Sequence, residues 1–198
     1  MTQIQELLRQ MRAAGPIPPC EVPDQLVPGE GSAESGLVIV GEAPGEQEER
    51  AHRPFVGPAG KFLRNTLRDQ GIDPASVWIT NVVKCRPTRT SGGRRVNRAP
   101  SRAEASLWEP WLMRELDILR PRIILGLGNL AANTLIHKDF KMGAEHGMWF
   151  DGPFSSKALA TYHPAYVLRQ IGPNAAELRR TFAEDVRKVA EKVRSSYF

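Results

Sequence analysis

Four consecutive apolar residues, Leu37-Val38-Ile39-Val40, run directly into a turn-forming segment, Gly41-Glu42-Ala43-Pro44-Gly45. A strand with one wet face alternates apolar and polar residues. A run that is apolar throughout belongs to a strand covered on both faces, as in a parallel sheet between helices. Short strand-like runs return at 77–80, 123–125 and 158–162. Helical spacing fills the intervals. A first amphipathic helix is expected over 2–14, with Ile4, Leu7, Leu8 and Met11 on one face, ended by Gly15-Pro16. A second spans about 59–70 and stops at Gly71. Ser101 and Glu104 form a capping box for a helix to about Leu119, which Pro110 should kink or delay. Further helices are expected over 129–136 and 174–194. This alternation predicts an α/β fold, a three-layer αβα sandwich with a mainly parallel central sheet of about four strands. The chain is expected to form a single domain over 1–198, with a helix and Pro/Gly-rich loop at 1–35 and the α/β core at 36–194.

Charge narrows the partner. Of a net +5, seven positive charges (Lys84, Arg86, Arg89, Arg94, Arg95, Arg98 and Arg102) fall between Asp73 and Glu104, where no acidic residue occurs. The remainder of the chain is slightly acidic. A concentrated basic stretch points to a phosphate-bearing partner, although a solvated loop has the same composition. No segment approaches the ~18–20 apolar residues of a membrane helix, and MTQIQELLRQ lacks the pattern of a signal peptide. A cytoplasmic protein without a membrane partner is expected. The two cysteines, Cys20 and Cys85, form no CxxC and are expected to be free thiols.

Ligands of open parallel sheets sit beyond the C-terminal strand ends, and the improbable segments cluster there. After the first strand come Gly41–Glu46 and Arg53-Pro54-Phe55-Val56-Gly57. After the second come Asn81, Lys84-Cys85-Arg86-Pro87 and Asn97-Arg98. After the fourth comes His163-Pro164-Ala165-Tyr166-Val167-Leu168-Arg169. Singly, each has a plain structural reading as a chain reversal, a helix cap or a local hydrogen bond. Together on one sheet edge they suggest a site, without naming its reaction.

GEAPGEQEE…RPFVGPAGKFL, ITNVVKCRP…NRAPS and HPAYVLR resemble, in order and spacing, the three signature segments of the family-four uracil-DNA glycosylases. The similarity covers about residues 37–190. It implies an enzyme that flips uracil out of DNA and hydrolyses its N-glycosidic bond in base excision repair. By the same resemblance Phe55 stacks on uracil and Asn81 reads its edge, while Ala43 and Gly45 border the base. His163 stabilises the departing anion, and Glu42, with Asn97 as second candidate, orients the attacking water. Arg86, Arg89, Arg94, Arg95 and Arg98 are expected on DNA phosphates, and Leu168 with Arg169 at the gap left by the flipped base. The expected partner is uracil-containing DNA, single- or double-stranded, bound by a monomer.

Departures from the pattern carry their own expectations. Family-four enzymes usually hold an iron–sulfur cluster on four cysteines. Here only Cys20 and Cys85 remain; Ile17 and Trp108 stand at or near the other two places. No iron–sulfur cluster, no other cofactor and no metal is expected. Glu49 and His52 replace an Asp and a Gly common in the family. Asn97 stands where a related branch has a His that traps uracil covalently, so trapping is not expected. Ala43 follows Glu42 where the best-known branch has an Asp base. Gly45 lies where that branch has a bulky side chain that excludes thymine, so a roomier pocket and another damaged base are alternatives. A non-catalytic DNA-binding relative is another. A dinucleotide reading of Gly126-Leu127-Gly128-Asn129-Leu130-Ala131 is weaker, because no acidic residue ends a strand about 20 residues on. Those glycines are expected to serve a tight strand-to-helix turn.

Overall fold

The computed structural model describes residues 1–196; the last two positions of the 1–198 span lie outside them. In chain order the elements are α1 (Gln3–Ala13), β1 (Glu30–Gly31), β2 (Leu37–Gly41), α2 (Glu46–Ala51), α3 (Pro58–Asp69), β3 (Trp78–Asn81), β4 (Thr88–Ser91) and β5 (Arg94–Asn97). They continue with α4 (Arg102–Leu119), β6 (Ile123–Leu127), α5 (Asn129–Leu135), α6 (Met142–Glu145), β7 (Trp149–Asp151), β8 (Lys157–Thr161), α7 (Pro164–Arg169) and α8 (Pro173–Ser195).

One sheet holds six strands in the order β1-β3-β2-β6-β8-β7. The four inner strands are parallel and are the four expected from sequence. Two short antiparallel edges, β1 and β7, enlarge the expected count. At two and three residues they are too short to carry a periodic signal.

Alternation along β2 sorts the layers. Leu37 and Ile39 face Leu63 and Leu67 of α3 and Phe182, Val186 and Val189 of α8. Val38 and Val40 face the other way, among Leu7 and Met11 of α1, Leu112 and Leu116 of α4, and Leu135 of α5. The four apolar residues of β2 are fully buried. Burial of such side chains contributes roughly 1.5–3 kcal/mol each, so an every-position apolar run is stable only in this inner place.

The Ser101–Glu104 capping box is present, and α4 begins at Arg102 and runs through Pro110 without a delayed start. Gly128 opens α5 at φ 89°, in the left-handed region where glycine is favoured. The Gly126–Ala131 segment is thus a tight strand-to-helix turn, as its glycines suggest. The basic stretch departs from the expected loop. β4 and β5 pair through Gly92-Gly93, both at positive φ, as a two-residue hairpin requires.

Sheet order reverses between β2 and β6, since β3 lies on one side of β2 and β6 and β8 on the other. A crevice opens beyond the carboxyl ends of strands at such a point. Gly41, Asn81, Leu127 and Thr161 end the four parallel strands there.

Candidate active site

A cavity of about 980 Å³ occupies this crevice, lined by Glu42, Ala43, Gly45, Phe55, Asn81, Asn97, Gly128, His163, Tyr166 and Arg169 among others. Residues separated by more than 100 positions meet because four strand ends and the hairpin converge.

Asn81 is buried on the cavity, and its Oδ1 is the one buried side-chain polar atom without a hydrogen-bond partner among the described residues. Leaving a buried acceptor unmet costs about 1–3 kcal/mol, so this atom is set for a donor from a ligand. Its surroundings are fixed tightly. Parallel register puts Asn81 beside Gly41. A Cβ at position 41 would lie 2.5 Å from both Asn81 Oδ1 and Phe55 Cζ, so only glycine lets the two side chains converge. From below, the buried Lys84 ammonium donates to the Asn81 backbone carbonyl at 2.8 Å. Lys84 also donates to Thr80 Oγ1 and to the Glu115 carboxylate of α4, which accepts from Trp78 Nε1 at 2.9 Å. Lys84 is therefore consumed in the interior and unavailable to a phosphate.

Phe55 is nearly buried and takes a left-handed backbone conformation, φ 54°. Such a φ is costly for an aromatic residue and persists only under external constraint. Gly60 supplies part of that constraint, because a Cβ there would fall 1.8 Å from the Phe55 carbonyl oxygen. Glu48 supplies more: its carboxylate accepts from the backbone N–H of Gly45 at 3.2 Å and of Gly57 at 2.7 Å. The two halves of the first motif are tied by this side chain, a role that sequence reading missed. The glutamate three residues after a turn glycine, a helix-entry pattern, was the available signal.

His163 caps α7, and its Nδ1 accepts from Ala165 N–H at 3.2 Å. A neutral imidazole held this way carries its proton on Nε2. Burial, assisted by the positive charge of Arg169, holds its pKa down to about 4, so the ring is neutral at physiological pH. Its ring lies 6.1 Å from that of Phe55. Glu42 is half-buried, and burial pushes its carboxyl above the usual carboxylate range against the opposing pull of Arg169. Gly45 and Ala43 leave that wall of the cavity without bulk.

The basic residues divide. Arg86 is buried and directs its guanidinium to Asn97 Oδ1 at 2.6 Å, Glu49 at 3.1 Å and Glu46 at 3.4 Å. The expectation that Arg86 contacts phosphate is corrected: the acidic groups of α2 and the end of β5 occupy it. Arg98 forms a bidentate pair with Glu104 at 2.6 and 2.7 Å and also donates to Thr88 O. Arg89 and Arg94 project exposed from the hairpin, whereas Arg95 is half-exposed and donates to Glu49 and to Thr88 Oγ1. Asn97 reaches the cavity with its Oδ1 engaged by Arg86, so Arg86 orients it. In α7, Val167 belongs to the core, Leu168 is half-buried, and Arg169 is exposed on the cavity. Ile171, 90% exposed, is the prominent apolar side chain of that edge.

Cys20 and Cys85 are joined as a disulfide with Cα atoms 5.3 Å apart, which corrects the expectation of free thiols. Residues at the cluster places of the resembled family do not suit a four-thiolate cluster. Trp108 is fully buried, donating its indole N–H to Pro18 O at 2.8 Å, and Ile17 packs into the same apolar group. Two sulfurs remain where four ligands are needed. Among the described residues no three His, Cys, Asp or Glu side chains are grouped to hold a metal ion, and no helix is long and apolar enough to cross a membrane.

Residues 28–187 match the family model described as the uracil DNA glycosylase superfamily. The chain belongs to that superfamily. Its relatives include the type-4 uracil-DNA glycosylase of Pyrobaculum aerophilum, 40% identical over 81% of this chain and 79% of the relative. The type-4 enzyme of Thermotoga maritima is 37% identical over 82% and 80% of the two chains, and that of Archaeoglobus fulgidus 32% over 96% and 94%. The superfamily match takes in all of the cavity-lining residues discussed above.

Proposed function

We propose that this member of the superfamily excises uracil from DNA, with the whole chain acting as one domain. The observation that carries the reading is the unmet Asn81 Oδ1, buried on a cavity between an aromatic ring and a neutral histidine. Uracil presents a donor at N3 and an acceptor at O4; the Asn81 amide supplies the matching acceptor and donor. Cytosine presents the reverse pair. The amide in this orientation does not match that pair. Phe55 stacks on the extruded base.

Cleavage of the C1′–N1 bond leaves positive charge on the sugar and negative charge on uracil. A neutral His163 donates from Nε2 to uracil O2, where that negative charge collects. Water adds its oxygen to C1′ and gives a proton to the Glu42 carboxylate, which passes it on to the departing base. Asn97, oriented by Arg86, is the second group for placing the water. Products are free uracil and an abasic sugar. DNA binding falls to Arg89, Arg94 and Arg95 on phosphates, with Leu168 and Ile171, either side of Arg169, filling the gap in the stack. The chain works without an iron–sulfur cluster; Trp108 filling the fourth place supports this.

The test uses oligonucleotides bearing uracil, hydroxymethyluracil, hypoxanthine or xanthine, followed by alkaline cleavage at abasic sites. Uracil is expected as the preferred base. His163→Ala and Asn81→Ala are each expected to slow single-turnover excision at least ~100-fold, about 2.7 kcal/mol. Near-wild-type rates for either variant overturn the assignment. Preference for one of the other bases would favour the second reading, for which Ala43 and Gly45 leave room.

A further inference from the structure

Tyr162 and Tyr166 both line the cavity, and the mechanism above uses neither. Their rings are nearly parallel, 17° apart with centroids 5.8 Å distant, within the range of offset stacking. Behind Tyr162 lies the His146 ring at 5.2 Å. His146 Nδ1 is bonded to the Asp185 carboxylate at 2.8 Å, and Asp185, buried in α8, also accepts from Thr161 Oγ1 at 2.7 Å. A column thus runs from a buried carboxylate through three rings to the cavity rim. It ends on Tyr166, which is 43% exposed.

We propose that Tyr166, braced by this column, is a stacking subsite for the nucleobase next to the flipped nucleotide. The inference rests on the DNA-glycosylase reading above and goes further, to the flanking base. Extruding one nucleotide takes away the stacking partner of its neighbour. A nucleotide whose base enters between Phe55 and His163 brings the adjoining one to the rim of the same cavity, where the Tyr166 ring stands. Base–aromatic stacking is tolerant of sequence, since every base has a π-face. The subsite therefore recognises an unpaired base of any identity, and it favours single-stranded or locally melted DNA.

The test compares single-stranded oligonucleotides in which the 5′ or the 3′ neighbour of the uracil is either a normal nucleotide or an abasic analogue. Affinity is read by fluorescence anisotropy with a 2′-fluoro sugar at the uracil, whose electronegative substituent resists positive charge at C1′ and so blocks cleavage. Excision is read on the ordinary sugar. On one side, wild-type protein is expected to bind the base-containing strand at least about fivefold more tightly than the abasic one. Tyr166→Ala brings that ratio to about one, and Tyr166→Phe retains it. The ratio is taken on one preparation, so a change in the folded fraction cancels. A wild-type ratio near one on both sides, or a ratio that survives in Tyr166→Ala, overturns the subsite. Failure of wild-type protein to excise uracil from every strand overturns the glycosylase reading instead, while the binding ratio still reports on the subsite.

Discussion

Arg169 acts on two groups at once. Its positive charge pulls down the pKa of both Glu42 and His163. It thereby favours an ionised carboxylate and a neutral imidazole, the two forms that the proposed reaction uses. Burial works with Arg169 at His163 and against it at Glu42, so Glu42 protonates at the higher pH of the two. Single-turnover excision at saturating DNA is therefore expected to fall on acidification through a pKa above the ordinary carboxylate range. Arg169→Ala should move that limb to higher pH, and Glu42→Gln should remove it. A limb unchanged in Glu42→Gln would take the role away from this residue. Stability carries a separate signature. His163 titrates near 4 when folded and near 6.5 when unfolded. Between those values the unfolded chain binds more protons, so the contribution of His163 is complete above about 6.5 and lost as pH falls toward 4. Asn81, Phe55 and His163 could be picked out as candidates because their chemistry is distinctive in a motif, and all three line one cavity. The contribution of Gly41 was not, since it lies in the absence of a side chain where two others meet.

At the scale of elements, the hairpin of β4 and β5 and the residues flanking it hold an inner and an outer set of cations. Arg86 and Arg98 are spent on Glu46, Glu49, Asn97 and Glu104, and their removal would unpair the half-buried Glu49 and the buried Glu104. Arg89 and Arg94 face solvent. Replacing both by alanine is expected to weaken DNA binding evenly across sequences and to flatten the slope of log K against log salt by about 1–2. An unchanged slope would show that the hairpin does not meet the backbone. The seven positive charges of the stretch were readable from sequence, but not their division. That division depends on α2 and the start of α4, which bring carboxylates from 40 positions upstream and 6 downstream against the hairpin.

Across the whole molecule, the Cys20–Cys85 link spans 65 positions and fastens the segment after α1 to the loop after β3. Closing a loop of that size is worth roughly 2–4 kcal/mol. Under oxidising conditions Cys20→Ser is expected to lower unfolding stability by about this amount in urea titrations, and reductant should abolish the difference. Equal midpoints without reductant would mean that the link is absent in solution. Iron analysis of protein purified without air is expected to find no stoichiometric iron. A brown protein absorbing near ~400 nm, its colour lost on mutating Cys85, would restore the cluster.

The amino-acid order alone determined the layers and the four inner strands, because a run apolar at every position has one stable place, between two helical layers. It also determined which residue types could stack on, read and protonate a base, since those capacities belong to individual side chains. Tertiary structure decided the rest. Which arginines stay in water, which cysteine finds which, why position 41 must lack a Cβ and how Asp185 braces an exposed tyrosine all depend on residues far apart in the chain. Such contacts leave no local periodicity, since they exist only once the strand ends and the hairpin have been brought to one edge of the sheet.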